Sequence, residues 1–400
     1  AGSLEAGLWA EADKAEKAAR TSGERDGDPA LEAYVSGVVS KVAGPFAGDV
    51  RTYVMDRPFF NASMAPNGYT EVWTGLLLRC RTEDQLAFVV GHEAGHFRHS
   101  HSLENFRRLK TSQNTALAAS AVIAVVSLGA MANAPTYQSI RDIADMSRSL
   151  IDITYLSTMA SLMRYSRERE ADADSYGLTY AAAAGYFTGG DADLWRNLID
   201  ENKASDFEKV RRRAARSSIF DDHPLETDRI AALEAQDRRM NHGQPSTRSE
   251  ADEKAARRAY RDRIRPYLGA WLKDDLRRQD YGQTLYILNQ LGQDGLDPGL
   301  LGFYTGEAYR LRDGAGADGV SDRDNAIRAY KAALTQPDAP ADAWRALGDM
   351  YRRTGDVKDA VAAFTSYLAK APGAADAWMV RDERDALIRD AAAPSTGGTS

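Results

Sequence analysis

The chain has 400 residues, 43% hydrophobic and 27% charged, a globular composition with room for two or three domains, which excludes a disordered chain. Its 51 Lys and Arg against 58 Asp and Glu leave a formal charge of -7, without the basic surplus that a nucleic-acid partner needs. The single cysteine, Cys80, rules out intrachain disulfides and cysteine-based metal frameworks.

The sequence opens at Ala1 without a charged-then-apolar leader, so an export signal is expected to have been removed already. Leu4 to Arg20 reads as a charged, Ala-rich helix. Pro29 to Val42 reads as a second, with Leu31, Tyr34, Val35, Val38 and Val39 at helical spacing. The alternation in Arg51 to Asp56, and Glu71 to Thr74 after the turn formers Pro66, Asn67 and Gly68, predict a strand, a turn and a strand. Cys80 reads as a small buried apolar residue. A helix then starts near Thr82, where Thr82-Glu83-Asp84-Gln85 has the pattern of a capping box.

That helix carries Gly91-His92-Glu93-Ala94-Gly95-His96. Two histidines four apart share one helix face, and two neutral imidazoles suit zinc, while Glu93 can reach a metal-held water without ligating the metal. Zinc lowers the pKa of such a water towards about 7, and a carboxylate can take its proton as it attacks a carbonyl. A catalytic zinc needs a third protein ligand and an open position. The metzincin solution requires glycine at 99 and histidine at 102; His99 and Ser102 stand there, which excludes it. A glutamate from a later helix is the other common source.

Thr111 to Ser139 contains no charged residue, but its apolar core is shorter than the roughly 20 residues of a span, so it reads as a buried or membrane-touching helix. Further helices are expected over Ile140 to Tyr165, Arg167 to Ala184 and Ala192 to Ser217. On the second of these, Glu170 and Asp174 are four apart on one face. Glu170 could ligate while Asp174 holds the outer nitrogen of a ligating histidine; the alternative is a solvated charged helix.

The polar, turn-rich Asn241 to Ser249 is the clearest linker. Beyond it, Trp344-x2-Leu347-Gly348-x2-Tyr351, Ala360-x3-Phe364 and Pro372 follow the tetratricopeptide pattern. Ala326-x3-Tyr330 and Pro337 form the second half of a preceding repeat, with Gly306 and Tyr309 on its first helix and Asp313 to Asp322 inserted between the two. Tyr281 to Leu291 reads as the second helix of a weaker, earlier unit.

Taken together, the first half resembles the HtpX and CAAX-prenyl-protease type of gluzincin metallopeptidases. There His-Glu-x-x-His is followed by Ser-Arg-x-x-Glu-x-x-Ala-Asp-x-x-Gly, whose positions are held here by Ser166, Arg167, Glu170, Ala173, Asp174 and Gly177. Asn61-Ala62, Pro66-Asn67-Gly68, Gly75-Leu76-Leu77 and Glu83-x2-Leu86-Ala87 match the segment ahead of the zinc helix. His101 and the stretch Asp222-His223-Pro224-Leu225 with Arg229 match its later features. The likeness covers about residues 4 to 235. Ser63 and Asn67 depart from the more usual Phe and Gly, which touches substrate choice rather than the metal.

The resemblance, with the linker and repeats read from the sequence itself, leads to an expected mostly helical α+β fold: a zincin-type metallopeptidase domain with a small sheet over 1–240, a linker over 241–250, a tetratricopeptide solenoid over 251–390 and a disordered tail over 391–400. It implies one zinc per chain on His92, His96 and Glu170, with Asp174 bonded behind a ligating histidine and Glu93 as general base. It implies that His223 either stabilises an oxyanion or occupies the open zinc position at rest, with Arg229 assisting. An extended substrate is expected to add to an exposed strand beside the cleft. The expected setting is the bacterial periplasm or envelope, with unfolded or misassembled proteins as substrates and the repeats as their docking platform. Two other readings stay open at this stage: a chaperone or assembly adaptor with a latent zinc site, and a membrane-embedded protease that touches the bilayer through 111–139.

Overall fold

The structure, a computed structural model, describes residues 4–98, 167–215, 227–314 and 320–392. The uncharged stretch 111–139, the expected helix over 140–165, and His99, His101 and His223 lie outside the described residues. The described part divides into two compact units, one of residues 1–203 and 209–250, the other of residues 204–208 and 251–400.

In the first unit, helix α1 (Leu4–Thr21) precedes α2 (Pro29–Ala43). Asp28 caps α2 by accepting from the Ala30 amide at 2.7 Å, Pro29 supplies the first-turn φ, and Gly44 ends the helix at φ 57°. Leu31, Val35, Val38, Val39 and Val42 are the buried stripe of α2, so its apolar spacing becomes core.

Three short strands follow, β1 (Arg51–Met55), β2 (Ala62–Met64) and β3 (Tyr69–Trp73), in the order β1-β3-β2. β1 and β3 pair in parallel with Val54 opposite Val72, and β2 pairs antiparallel to β3 with Ala62 opposite Val72. The sequence pattern indicated two strands and a turn. The structure inserts β2 between them in sequence and makes the flanking pair parallel, because the chain from Asp56 to Asn61 crosses to the far side of β3. Among the described strands, β2 has pairing on one side only.

Helix α3 (Thr74–Arg79) leads to α4 (Glu83–Arg98). The capping residues act much as their spacing suggests: Thr82 Oγ1 accepts from the Gln85 amide at 3.4 Å. The Gln85 side chain reaches one residue further back than in the usual box, accepting from the Arg81 amide at 2.8 Å. Cys80, between the helices, is buried, which pushes its thiol pKa up.

Four further helices of this unit are α5 (Arg167–Ala183), α6 (Asp191–Lys203), α7 (Glu208–Ala215) and α8 (Thr227–Met240). One helix was expected over 192–217; two are found. Ser205 breaks it: its hydroxyl accepts from the Phe207 amide at 3.0 Å and donates to Asp280. The intervening segment is thereby held by distant residues rather than by its own helix. α6 is anchored to α3 by a buried ion pair, Arg79 to Glu201, with Nη2 at 2.7 Å and Nε at 2.8 Å from the carboxylate.

The second unit comprises α9 (Glu250–Arg277), α10 (Tyr281–Gly292), α11 (Pro298–Arg312), α12 (Asp322–Leu334), α13 (Asp342–Thr354), α14 (Val357–Lys370) and α15 (Ala377–Ala392). Its core holds Ala326, Tyr330, Leu347, Tyr351, Ala360, Phe364 and Tyr367, residues that recur along the repeat. Gly306 faces the Tyr330 ring and Gly348 faces the Phe364 ring, in each case where a Cβ would fall within 2.6 Å of ring carbon. Glycine is thus what lets the first helix of each pair lie against the aromatic of the second. No described helix is long and apolar enough to cross a membrane.

Candidate metal centre

α4 and α5 pack closely because small residues meet along their seam. A Cβ on Gly91 would sit 3.0 Å from the Gly177 carbonyl oxygen, and one on Gly177 would sit 2.9 Å from both the His92 amide nitrogen and the Phe88 carbonyl. Gly95 faces Ala173 and Tyr176 in the same way. The backbones therefore approach until short side chains can span the gap. That is how Glu170, on α5, arrives between the two histidines of α4.

The three side chains converge. His96 Nε2 lies 3.1 Å from His92 Nε2 and 3.4 Å from Glu170 Oε1, and His92 Nε2 lies 3.6 Å from Glu170 Oε2. Among the described residues, theirs is the set of histidine, cysteine or carboxylate donors close enough to share an ion, and each is no more than 2% exposed. Zinc ligands at about 2.0–2.1 Å in tetrahedral array stand about 3.3–3.4 Å apart. The observed spacings bracket that edge length, so the residues fit zinc.

The groups behind the ligands fix their state. Asp174 Oδ1 is 2.9 Å from His92 Nδ1, so His92 places its proton on Nδ1 and leaves the Nε2 lone pair for a metal. Arg229, on α8, donates from Nε to Asp174 Oδ2 at 2.7 Å and from Nη2 to Oδ1 at 2.8 Å, with Nη1 3.0 Å from Glu170 Oε2. Burial pushes the Asp174 carboxyl up. Arg229, through its charge and hydrogen bonds, together with His92, outweighs that and holds it below the usual carboxylate range. The centre formally holds three carboxylates, of Glu93, Glu170 and Asp174, against one guanidinium, an imbalance that a dication corrects.

Glu93 follows His92 on α4 and is buried at 6% exposure. Arg229 was expected to assist at the reacting centre; its guanidinium is bonded to Asp174 and to Glu170, behind the ligands. Sequence reasoning did not single out Trp195. It lies on α6, with its ring edge-on to His92 at 6.5 Å between centroids and Arg229 Cζ 5.5 Å from its ring centre. No motif marks it; an apolar position on an amphipathic helix is its whole signal.

Residues 26–237 match the model of a family described as peptidase family M48, and residues 341–381 match that of a tetratricopeptide repeat. Over 211 residues, 51% of this chain, the sequence is 26% identical to a Vibrio cholerae protein named as a beta-barrel assembly-enhancing protease. Over 172 residues, 42% of this chain, it is 26% identical to metalloprotease LoiP of Escherichia coli. These matches span 38% and 55% of the two relatives' lengths.

Proposed function

The chain belongs to peptidase family M48, whose members depend on zinc, and from that premise we propose that it is an endopeptidase acting on unfolded or misassembled envelope proteins. The observation that carries this reading is the buried convergence of His92, His96 and Glu170 with Glu93 on the same helix. When bound there, zinc would act as a Lewis acid on a peptide carbonyl and make a coordinated water acidic at neutral pH. His92, His96 and Glu170 would hold the ion, and Asp174 with Arg229 keeps His92 in the tautomer that can ligate. Glu93 takes a proton as the carbonyl is attacked and returns it to the leaving amine. Burial of these groups excludes bulk water and strengthens each charge interaction.

Substrate would enter as an extended strand along β2, whose free edge offers main-chain donors and acceptors and which packs against α4. His223 is proposed either to stabilise the oxyanion or to cover the open zinc position at rest. The repeats would hold substrate or partner proteins. The assembly-related substrates rest on the name of the Vibrio cholerae relative, and the envelope setting on the family resemblance read from the sequence. They are supported by the tetratricopeptide stack, an architecture that presents a concave surface to protein segments.

A second reading, a binding protein with a latent centre, is favoured by the depth at which Glu93 and the ligands are buried. One comparison separates the two: zinc content and casein cleavage of the chain and its Glu93→Gln variant. Zinc in both, with cleavage reduced by about 10²–10⁴ in the variant, is expected of the peptidase. Zinc in both with no cleavage by either would leave only the binding role.

A further inference from the structure

Trp195 is 5% exposed, and its indole N–H has no hydrogen-bond partner. An unpaired buried donor costs roughly 1–3 kcal/mol, a cost that a phenylalanine or leucine at the same place would not carry. The position therefore needs a property of the ring. That ring is set edge-to-face against Phe60 and Phe88, each 5.8 Å away, so its plane is fixed from behind. It also meets the imidazole of His92 and the guanidinium of Arg229.

Indole is the strongest of the side-chain rings in attracting a cation. Arg229 is the residue through which α8 grips both Asp174 and Glu170. A guanidinium held against a fixed indole keeps its fork directed at those two carboxylates. The same indole limits rotation of His92, whose other nitrogen must stay on Asp174 for Nε2 to face the ion.

We propose that Trp195 is a positioning residue of the metal centre: by fixing Arg229 and His92 it sets zinc affinity without touching the metal. This rests on His92, His96 and Glu170 being zinc ligands.

The test uses the full chain stripped of metal, with zinc affinity measured by competition against a chromophoric chelator and zinc-free melting followed in parallel. Trp195→Phe keeps a ring with a weaker pull on a cation, so its zinc affinity should fall, but by less than that of Trp195→Leu. Trp195→Leu keeps apolar bulk without a ring, and its affinity should fall about tenfold or more, the scale on which residues behind metal ligands act. Zinc should change the parent's tryptophan emission, and that change should vanish in Trp195→Phe although the variant still binds. In an Arg229→Gln background, Trp195→Leu should cost less than it does alone, because one of its two contacts is already lost.

The proposal is overturned if Trp195→Leu binds like the parent, or if the emission change persists in Trp195→Phe. It is equally overturned if both variants lose affinity in step with their melting temperatures, or if the two substitutions are additive. A parent that binds no zinc would instead remove the ligand assignment itself, a result distinguishable from all of these.

Discussion

At Gly177 a methyl group would meet the backbone of α4, 2.9 Å from the His92 nitrogen, whereas at Gly348 it would meet a side chain, 2.6 Å from the Phe364 ring. Both glycines permit close helix packing, yet they serve different ends. In the metallopeptidase unit, closeness of two backbones decides where charged side chains meet. In the repeat unit, glycine makes room for a ring, and the product is apolar burial that neighbouring repeats share. Function in the first unit thus depends on tenths of an ångström between helices, while the second tolerates displacement at a cost in stability.

The sharpest test of that contrast is on the charged side. Asp174→Asn keeps the size of the side chain and removes its charge, so Arg229 and His92 lose their common anchor. Zinc affinity should drop about 10–100-fold, and an unchanged value in chelator competition would separate the network from metal binding. Gly177→Ala should follow, lowering zinc affinity about tenfold or more by pushing Glu170 away from His92 and His96. Gly348→Ala should leave zinc affinity alone and lower the stability of the repeat unit by about 1–3 kcal/mol, as overpacking of a filled core does. If the two glycine variants behaved alike in metal binding and in denaturant melts, the contrast would fail.

The smallest effect concerns a buried acid outside the centre. Asp191, at the start of α6, is fully buried with neither carboxylate oxygen partnered. Burial, then the nearby carboxylates of Asp84 and Asp237, push its pKa well above the ordinary value, against an opposing pull from Arg248. The folded state therefore holds a proton more tightly than the unfolded chain does. Stability attached to this group is complete below the unfolded value and is lost as pH rises through the folded one. Asp191→Asn should raise the melting temperature at neutral pH, by an equivalent of about 1 kcal/mol, and the gain should shrink on acidification. A gain independent of pH would assign the effect elsewhere.

What could be read in the sequence follows from how local each signal is. His92, Glu93 and His96 declare themselves because a helix puts residues four apart on one face. Glu170 and Asp174 stood out by the same spacing on a second helix, although only the family resemblance chose them over a solvated surface. The repeat helices were legible because the same small and aromatic residues return 34 positions later, as Ala326 and Tyr330 do at Ala360 and Phe364. The parallel pairing of β1 with β3 was not, since turn formers report where a chain bends and not which strand it finds. The break between α6 and α7 was missed for a related reason: the hydroxyl of Ser205 is engaged by Asp280, far along the chain. Trp195 was invisible because its ring and cation partners come from α4, α8 and Phe60 ahead of β2, and no spacing within α6 encodes them.

The segment 204–208 has a consequence for how the molecule is made. It is grouped with the repeat unit, where Asp280 accepts from the Asp206 amide at 2.8 Å and Asp206 accepts from the Gly282 amide at 2.8 Å, pairs separated by 74 and 76 residues. On a ribosome, the helices that carry Trp195 and Glu201 emerge well before those partners exist, so this loop must wait for the first repeat helices before it can settle. A protease cut within 241–249 would also yield two pieces that do not correspond to the two units, because the N-terminal piece would keep residues 204–208, of which Ser205 and Asp206 are hydrogen-bonded to Asp280 and Gly282.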